Sequence, residues 1–217
     1  MPTLHGRPGA ALALFAERHA IEVLHHRLER RDAVGACCFL PLLRDRRVSF
    51  AGESLTGRGQ ITPPPAEAPP VLVAALGPQM LRLTGRMADG TITWMTGPET
   101  IRTLTSPTIR EAAAEAGRPE PRVVVGLPVC VTDDIDAARA RADSDYAIYG
   151  QLPSYRAMLD REGAATPADV AIIGTAAEVQ DRIRALEGCG TTTFAASAFG
   201  SRDELAATRE ALVGLLA

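Results

Sequence analysis

The chain has 217 residues and a formal net charge of −3, and 46% of its residues are hydrophobic. This length provides one α/β domain or two small domains, and the apolar fraction excludes disorder of the chain as a whole. The mildly acidic balance argues against a nucleic-acid partner, which requires a basic face, and no apolar run approaches the roughly 20 residues of a membrane helix.

The cysteines and the N-terminal residues indicate the compartment. The four cysteines contain no C-x-x-C pair, and no small-residue cleavage pattern follows the apolar patch within residues 1–16. This pattern predicts a cytoplasmic protein with reduced thiols. His19 and His26 lie a heptad apart on a predicted helix. Because two helical turns separate them, we predict no metal site there.

Residues 1–70 divide into two predicted zones. Residues 1–47 are rich in Ala, Leu, Arg and Glu and show no strand pattern, which predicts an N-terminal helical segment. Residues 48–70 begin with the alternating stretch VSFAGESLT, which predicts an exposed strand or hairpin. They end with PPPAEAPP, which predicts an extended connector.

Residues 71–217 form a third zone with a regular rhythm of strand and helix. Helix start signals follow the apolar runs, among them Asp133-Asp134 and the capping boxes that begin at Thr175 and Ser201. This alternation predicts parallel strands with helices packed outside them. The four predicted strands are VLVAAL (71–76), TITWM (91–95), RVVVGLPVCV (122–131) and TTTFAASAF (191–199).

Two Gly-Pro steps stand directly after a predicted strand and directly before a predicted helix, at Gly77-Pro78 and Gly97-Pro98. Proline fits the first helical turn, where its missing N–H is not needed, and glycine allows the backbone to approach a ligand closely. The free N–H groups of the following turn then form an anion site. A tight turn without a ligand is the alternative interpretation.

Several stretches in order resemble one protein family. FLPLLRDRRVSFAGE, PPVLVAALGPQMLRLTGRMADGTITWMTGP, GLPVCVTDD and YGQLPSYRAMLDREG are similar to the luciferase-like monooxygenases, and within them to the group that uses the deazaflavin coenzyme F420. The similarity covers roughly residues 37–217. It implies a (β/α)8 TIM barrel of which this chain holds the last four βα units, with F420, or alternatively FMN, at the carboxyl ends of the strands.

The resemblance also implies site residues. The end of the fifth barrel strand would contact the coenzyme and its phosphate, although Leu76 stands where relatives commonly have a second glycine. Gly200-Ser201 is the second choice for the phosphate. Trp94 and Tyr155 would line the side that faces a small-molecule substrate, with packing in the core as the alternative. The residues expected beside the coenzyme are Ala74, Ala75, Leu76, Gly77, Thr96 and Gly97.

The resemblance also sets a limit on function. A complete barrel takes about 250 residues, yet residues 1–70 contain no four strands, so the acid–base groups of the first half have no counterpart and the catalytic residues are unknown. We therefore expect a truncated oxidoreductase or monooxygenase with impaired catalysis. The alternative is a non-catalytic half-barrel that keeps at most a phosphate-binding corner and pairs with another copy as a homodimer.

Overall fold

The computed structural model describes the backbone of residues 11–13 and residues 39–52, 56–62 and 69–216 in full. The chain divides into two compact units. The first unit has described residues 11–13, 92–107 and 122–216, and the second has 39–52, 56–62, 69–91 and 108–121. The predicted division into zones 1–47, 48–70 and 71–217 stays a prediction.

Strands and helices alternate along most of the described chain. The strands are β1 Ala11–Ala13, β2 Arg47–Ala51, β3 Thr56–Gln60, β4 Leu72–Ala74, β5 Gly90–Trp94, β6 Arg122–Val131, β7 Ile172–Gly174 and β8 Thr193–Ala198. The helices are α1 (39–44), α2 Pro78–Met87, α3 Pro98–Thr100, α4 Ser106–Glu115, α5 Ile135–Asp145, α6 Ala147–Gln151, α7 Pro153–Glu162, α8 Ala176–Ala185 and α9 Arg202–Val213. A π-helical turn, Ile101–Thr105, joins α3 to α4.

The first unit is built around strand β6. Every residue of β6 after Arg122 is buried, as expected for a strand covered on both faces. Strand β8 pairs in parallel with β6 from Val124↔Thr193 onward, and β7 pairs in parallel with the end of β6. Strand β5 is the other neighbour of β6, and β1 pairs in parallel with β8. This confirms the predicted α/β class with parallel strands.

The second unit contains a hairpin, where the sequence predicts an exposed strand or hairpin, and the first Gly-Pro helix. Strands β2 and β3 pair in antiparallel register from Arg47↔Gln60 to Ala51↔Thr56. Helices α2 and α4 approach closely at Gly85, where a Cβ atom would lie 2.5 Å from the carbonyl oxygen of Ile109. Glycine is therefore required at position 85 for this helix pair to pack.

Asp89 joins three segments of the second unit. Its N–H donates to the carbonyl oxygen of Val71 at 2.8 Å, and its Oδ2 accepts the N–H of Val71 at 2.8 Å. Its Oδ1 accepts from Arg118 Nη2 at 2.9 Å, and Arg118 also donates to the carbonyl oxygen of Ala88. One carboxylate thus holds the start of β4 and the segment after α4 at the turn between α2 and β5.

Two strands differ from the sequence prediction. Strand β1 lies within the zone predicted to be helical, so the prediction of no strand is wrong at residues 11–13. Its Ala-Leu-Ala sequence favours a helix locally, and pairing with β8 overrides that preference. Strand β7 is missing from the prediction, and its three residues form a strand by pairing with the end of β6. His19, His26 and most of the Pro-rich connector lie outside the described residues.

The described strands do not close into a barrel. The assignment of the third zone to the last four units of a TIM barrel therefore stays a prediction. No helix in the described part of the chain is long and apolar enough to cross a membrane.

Replacement of Asp89 tests its structural role. Asp89→Ala removes the side-chain acceptor of the Val71 N–H and the carboxylate partner of Arg118, so we expect the free energy of unfolding to fall by about 1–3 kcal/mol in urea titrations. The control is Asp181→Ala, which removes an exposed helix residue paired with Arg184 at 3.0 Å, and should change stability by at most about 0.5 kcal/mol. Equal effects of the two substitutions would contradict this role.

Candidate functional site

In the first unit, Trp94 and Tyr155, which the resemblance assigns to the substrate side, lie in one group of aromatic side chains. Trp94 ends β5, and its ring centroid lies 6.0 Å from those of Tyr146 and Tyr149. Tyr149 lies 4.8 Å from Tyr155, and Tyr146 lies 5.8 Å from Phe199. The contacts are edge-to-face, the arrangement that aromatic pairs prefer. We call these five side chains the aromatic cluster.

Trp94 is positioned by a glycine on the neighbouring strand. A Cβ atom on Gly126 of β6 would lie 3.1 Å from Cε3 of the Trp94 ring and 2.9 Å from the carbonyl oxygen of Thr93. The sequence signal for this role is a glycine inside a buried strand, which marks close approach of another group. The indole N–H of Trp94 is buried and has no acceptor in the described part of the chain.

Tyr155 is buried, with 3% of its surface exposed. Burial, followed by the proximity of Tyr149, raises the pKa of Tyr155 to about 12. The phenol therefore keeps its proton at neutral pH and can donate a hydrogen bond. The sequence analysis assigns Trp94 and Tyr155 to one site. In the structure both belong to the aromatic cluster, and each contacts the ring of Tyr149.

The second Gly-Pro step, Gly97-Pro98, already has an internal anion. Glu162, the last residue of α7, accepts the N–H of Thr100 with Oε1 at 2.6 Å and the N–H of Glu99 with Oε2 at 3.2 Å. A Cβ atom on Gly97 would lie 2.5 Å from Glu162 Oε2. The hydroxyl of Thr96 donates to the carbonyl oxygen of Trp94 at 3.2 Å. The predicted coenzyme residues Thr96 and Gly97 thus have intramolecular partners.

The contact of Glu162 with the turn at Gly97-Pro98 is not predicted by the sequence. Its carboxylate reaches backbone groups 62 and 63 positions earlier in the chain. No short motif contains both partners. The only local sign is that Glu162 precedes Gly163, which adopts the left-handed conformation (φ 66°) that ends α7.

The same arrangement recurs at the turns after β7 and β8. A Cβ atom on Gly174 would lie 2.7 Å from Glu178 Oε2, and one on Gly200 would lie 2.7 Å from Glu204 Oε2. Glu204 also accepts the N–H of Ser201 at 2.6 Å, which confirms the predicted capping box. The second choice for the phosphate, Gly200-Ser201, therefore has a carboxylate at its helix N-terminus as well.

The first Gly-Pro step, Gly77-Pro78, lacks such a carboxylate. Gly77 is the N-cap of α2 (φ −85°, ψ 157°), no side chain caps it, and the first turn holds no acidic residue. A Cβ atom on Gly77 would meet no heavy atom within 4 Å. Of the described helices that directly follow a strand, α2 is the one in which no N–H group of the N-cap or first turn donates to a carboxylate.

The residues before Gly77 are those that the sequence assigns to the coenzyme. Ala74 ends β4 and is exposed, Ala75 is 1% exposed, and Leu76 is half-buried. These residues and Gly77 form one continuous segment that leads from β4 into α2. They have small or apolar side chains, so any polar contact from this segment comes from its backbone.

The second unit also contains a cavity of about 500 Å³ that the sequence does not predict. Its lining combines apolar and basic side chains, and two of its arginines bind Asp89. The lining residues are Leu40, Pro41, Arg44, Asp45, Phe50, Arg86, Met87 and Arg118. None of the predicted site residues belongs to this lining.

Comparison with known proteins identifies the family. The sequence model described as luciferase-like monooxygenase matches residues 38–193. The chain belongs to the luciferase-like monooxygenase family. The match begins beside the predicted start of the resemblance at Cys37 and ends at the first residue of β8.

Relatives of this luciferase-like chain include coenzyme-dependent enzymes. An F420-dependent glucose-6-phosphate dehydrogenase from Nakamurella multipartita is 34% identical over 102 residues, which cover 46% of this chain and 30% of that protein. The F420-dependent tetrahydromethanopterin reductase from Methanopyrus kandleri superimposes with a TM-score of 0.65 at 22% identity, covering 84% of this chain and 60% of that chain.

A third relative binds FMN. The oxygenating constituent of 3,6-diketocamphane monooxygenase from Pseudomonas putida, in complex with FMN, gives a TM-score of 0.59 at 18% identity and covers 84% of this chain and 59% of that one. The two structural similarities establish the fold. The chain spans less than two thirds of the length of each of these three proteins.

The capping carboxylate of Glu204 predicts a pH dependence of stability. The Ser201 N–H foremost, with the Ser201 and Thr132 side chains and Arg141, lowers the pKa of Glu204 from 4.5 to about 2. Because the folded pKa lies below the unfolded one, this stabilisation is complete above about pH 4.5 and is lost as pH falls toward about 2.

Glu204→Gln tests this pH dependence. We expect the variant to show a shallower decline of unfolding free energy with falling pH in that acidic window, measured by urea unfolding at stepped pH values. The wild-type chain is the reference at each pH. An unchanged decline in the variant would show that Glu204 does not carry the effect.

Proposed function

We propose that this luciferase-like chain is an oxidoreductase that binds coenzyme F420, with FMN as the alternative, and acts on a small-molecule substrate. Family membership supports the reaction class, and the named relatives supply the two coenzymes. The assignment of the coenzyme site to particular residues rests on the N-terminus of α2 at Gly77, where no side chain caps the helix and a Cβ atom would meet no heavy atom within 4 Å.

The Gly77 segment fits the phosphate of such a coenzyme. A phosphate at a helix N-terminus accepts backbone N–H groups and interacts favourably with the helix dipole. Gly77 has no side chain to obstruct it, and no carboxylate of the described chain competes for these N–H groups. In this proposal Ala74, Ala75 and Leu76 contact the coenzyme through their backbone and small apolar surface.

The aromatic cluster fits the wall of a substrate pocket. Trp94 has a buried indole N–H that needs an acceptor, and Tyr155 keeps its phenolic proton. A bound deazaflavin or flavin supplies the redox chemistry, while the chain binds, orients and shields the reactants. The cluster would exclude water and offer the indole N–H to an oxygen atom of the substrate. Thr96 and Gly97 have internal partners, so the proposal gives them no coenzyme contact.

The rival proposal is a non-catalytic half-barrel that associates with a second copy. It is favoured by two observations: the described strands do not close, and the chain spans 60% or less of the named relatives. Size-exclusion chromatography with light scattering separates the two. A homodimer that leaves F420 and FMN fluorescence unchanged supports the rival, and a monomer that binds either coenzyme contradicts it.

Substitutions at Gly77 test the proposed phosphate contact. Gly77→Asp adds a carboxylate at a position with open space and N-cap dihedral angles, so the helix should stay intact while the new charge repels phosphate. We expect coenzyme affinity to fall roughly tenfold, which corresponds to about 1.4 kcal/mol. Titration of the purified chain with F420, and separately with FMN, followed by fluorescence, measures this change.

Gly77→Asn is the matched control for charge. Asparagine caps helices about as well as aspartate and occupies the same N–H groups but is neutral, so this variant should lose less affinity than Gly77→Asp. Equal losses in both variants would contradict an electrostatic contact with phosphate. If the wild-type chain binds neither F420 nor FMN at high micromolar concentration, the coenzyme proposal itself is wrong.

A further inference from the structure

The segment between β6 and β7, residues 132–171, contains helices α5, α6 and α7, and we call it the inserted segment. It supplies Tyr146, Tyr149 and Tyr155 of the aromatic cluster. This segment and residues 92–107, which it contacts, belong to the first unit. The question is what holds these tyrosines against Trp94.

Glu162 is the polar link between the inserted segment and the residues after β5. Its two carboxylate oxygens accept the N–H groups of Thr100 and Glu99 at 2.6 and 3.2 Å. The hydroxyl of Thr100, which is fully buried, lies 3.5 Å from the carbonyl oxygen of Met158 in α7. Hydrogen bonds to a charged acceptor are stronger than neutral ones, so Glu162 dominates this link.

Gly97 makes room for that link. Its backbone angles (φ −82°, ψ 178°) are ones that any residue adopts, so conformation does not require glycine here. The requirement is steric, because a Cβ atom would lie 2.5 Å from Oε2 and 2.6 Å from Cδ of Glu162. Glycine at position 97 therefore leaves the space that the carboxylate of Glu162 occupies.

The link closes a ring of contacts. From Glu162, helix α7 leads back to Tyr155, which packs on Tyr149 at 4.8 Å, and Tyr149 packs on Trp94 at 6.0 Å. Trp94 precedes Gly97 by three residues on the same segment. Because Trp94 and Gly97 are close in sequence, a shift of Glu162 away from Gly97 also shifts the tyrosines relative to Trp94.

We propose that Glu162 is a positioning residue, which fixes α7 on the N-terminus of α3 and thereby sets the geometry of the aromatic cluster. The same carboxylate keeps external anions away from this helix end. The inference rests on the proposed function only in assigning the aromatic cluster to substrate binding. Its test uses no coenzyme or substrate, so it succeeds or fails independently of coenzyme binding.

The chain offers a local optical probe for this test. Trp94 is its single tryptophan, and its three tyrosines all belong to the aromatic cluster. Near-ultraviolet circular dichroism and Trp94 emission therefore report on this cluster in the 217-residue chain. Glu162→Ala should shift Trp94 emission to longer wavelength and weaken the near-ultraviolet signal, while the far-ultraviolet spectrum is retained. Glu162→Gln keeps one acceptor oxygen and should show a smaller change of the same sign.

Glu178→Ala is the matched control. Glu178 also places a carboxylate in the space of a glycine, Gly174, and also accepts N-terminal groups of a helix, but it does so within its own first turn. It has no contact with the aromatic cluster among those described. This variant should lower the unfolding midpoint yet leave Trp94 emission unchanged.

Gly97→Ala provides the converse test. In the wild-type background the added methyl group displaces the Glu162 carboxylate, so the spectral change should match that of Glu162→Ala. In the Glu162→Ala background the methyl group meets no carboxylate, so the second substitution should add no further change. Such non-additive spectral changes would show that Gly97 and Glu162 act through the same contact.

Two results would overturn the proposal. One is a Glu162→Ala or Glu162→Gln variant that is less stable but has wild-type Trp94 emission and near-ultraviolet dichroism, because Glu162 would then only stabilise the fold. The other is full additivity of Gly97→Ala and Glu162→Ala. If Glu162→Ala does not fold, the comparison of Glu162→Gln with Glu178→Ala decides by the same spectra.

Discussion

A helix that directly follows a strand begins with backbone N–H groups that need acceptors, and this need shapes the turns of the described chain. At Gly174 and Gly200 the acceptor is a glutamate from the first turn of the helix, and at Gly97 it is Glu162 from another helix. Each carboxylate occupies the volume that a glycine leaves empty. At all three turns the glycine leaves room for an internal anion, and at Gly174 and Gly200 it also allows a positive φ.

Much of this architecture is readable from the sequence because its causes are local. The capping boxes at Thr175 and Ser201 bring donor and acceptor within three residues of each other, so spacing alone reveals them. Strand β6 is a continuous apolar run because both of its faces are buried. Strand β2 likewise falls in the alternating stretch VSFAGESLT, whereas its partner β3 (TGRGQ) lies almost wholly after that stretch.

The parts that escape prediction depend on distant partners. Strands β1 and β7 have three residues each, and only pairing with β8 and β6 makes them strands. The fit of Trp94 over Gly126 joins two strands, and the bond from Thr100 to Glu162 joins residues 62 positions apart. The members of each pair are far apart in the sequence. The residue types of the candidate site are therefore predictable from the sequence, but the contacts between them are not.

The two Gly-Pro steps show why the distinction matters for function. Their local sequences and N-cap angles are alike, so both helices offer the same N–H groups to an anion. Whether an external anion can bind is decided elsewhere, by the presence of Glu162 at one step and the absence of a counterpart in the described chain at the other. The inserted segment carries both Glu162 and the tyrosines, so one segment supplies the internal anion at Gly97 and three members of the aromatic cluster. A Gly-Pro step before a helix therefore indicates only that an anion can bind there. The tertiary structure determines whether that anion is a side chain of the protein or a ligand.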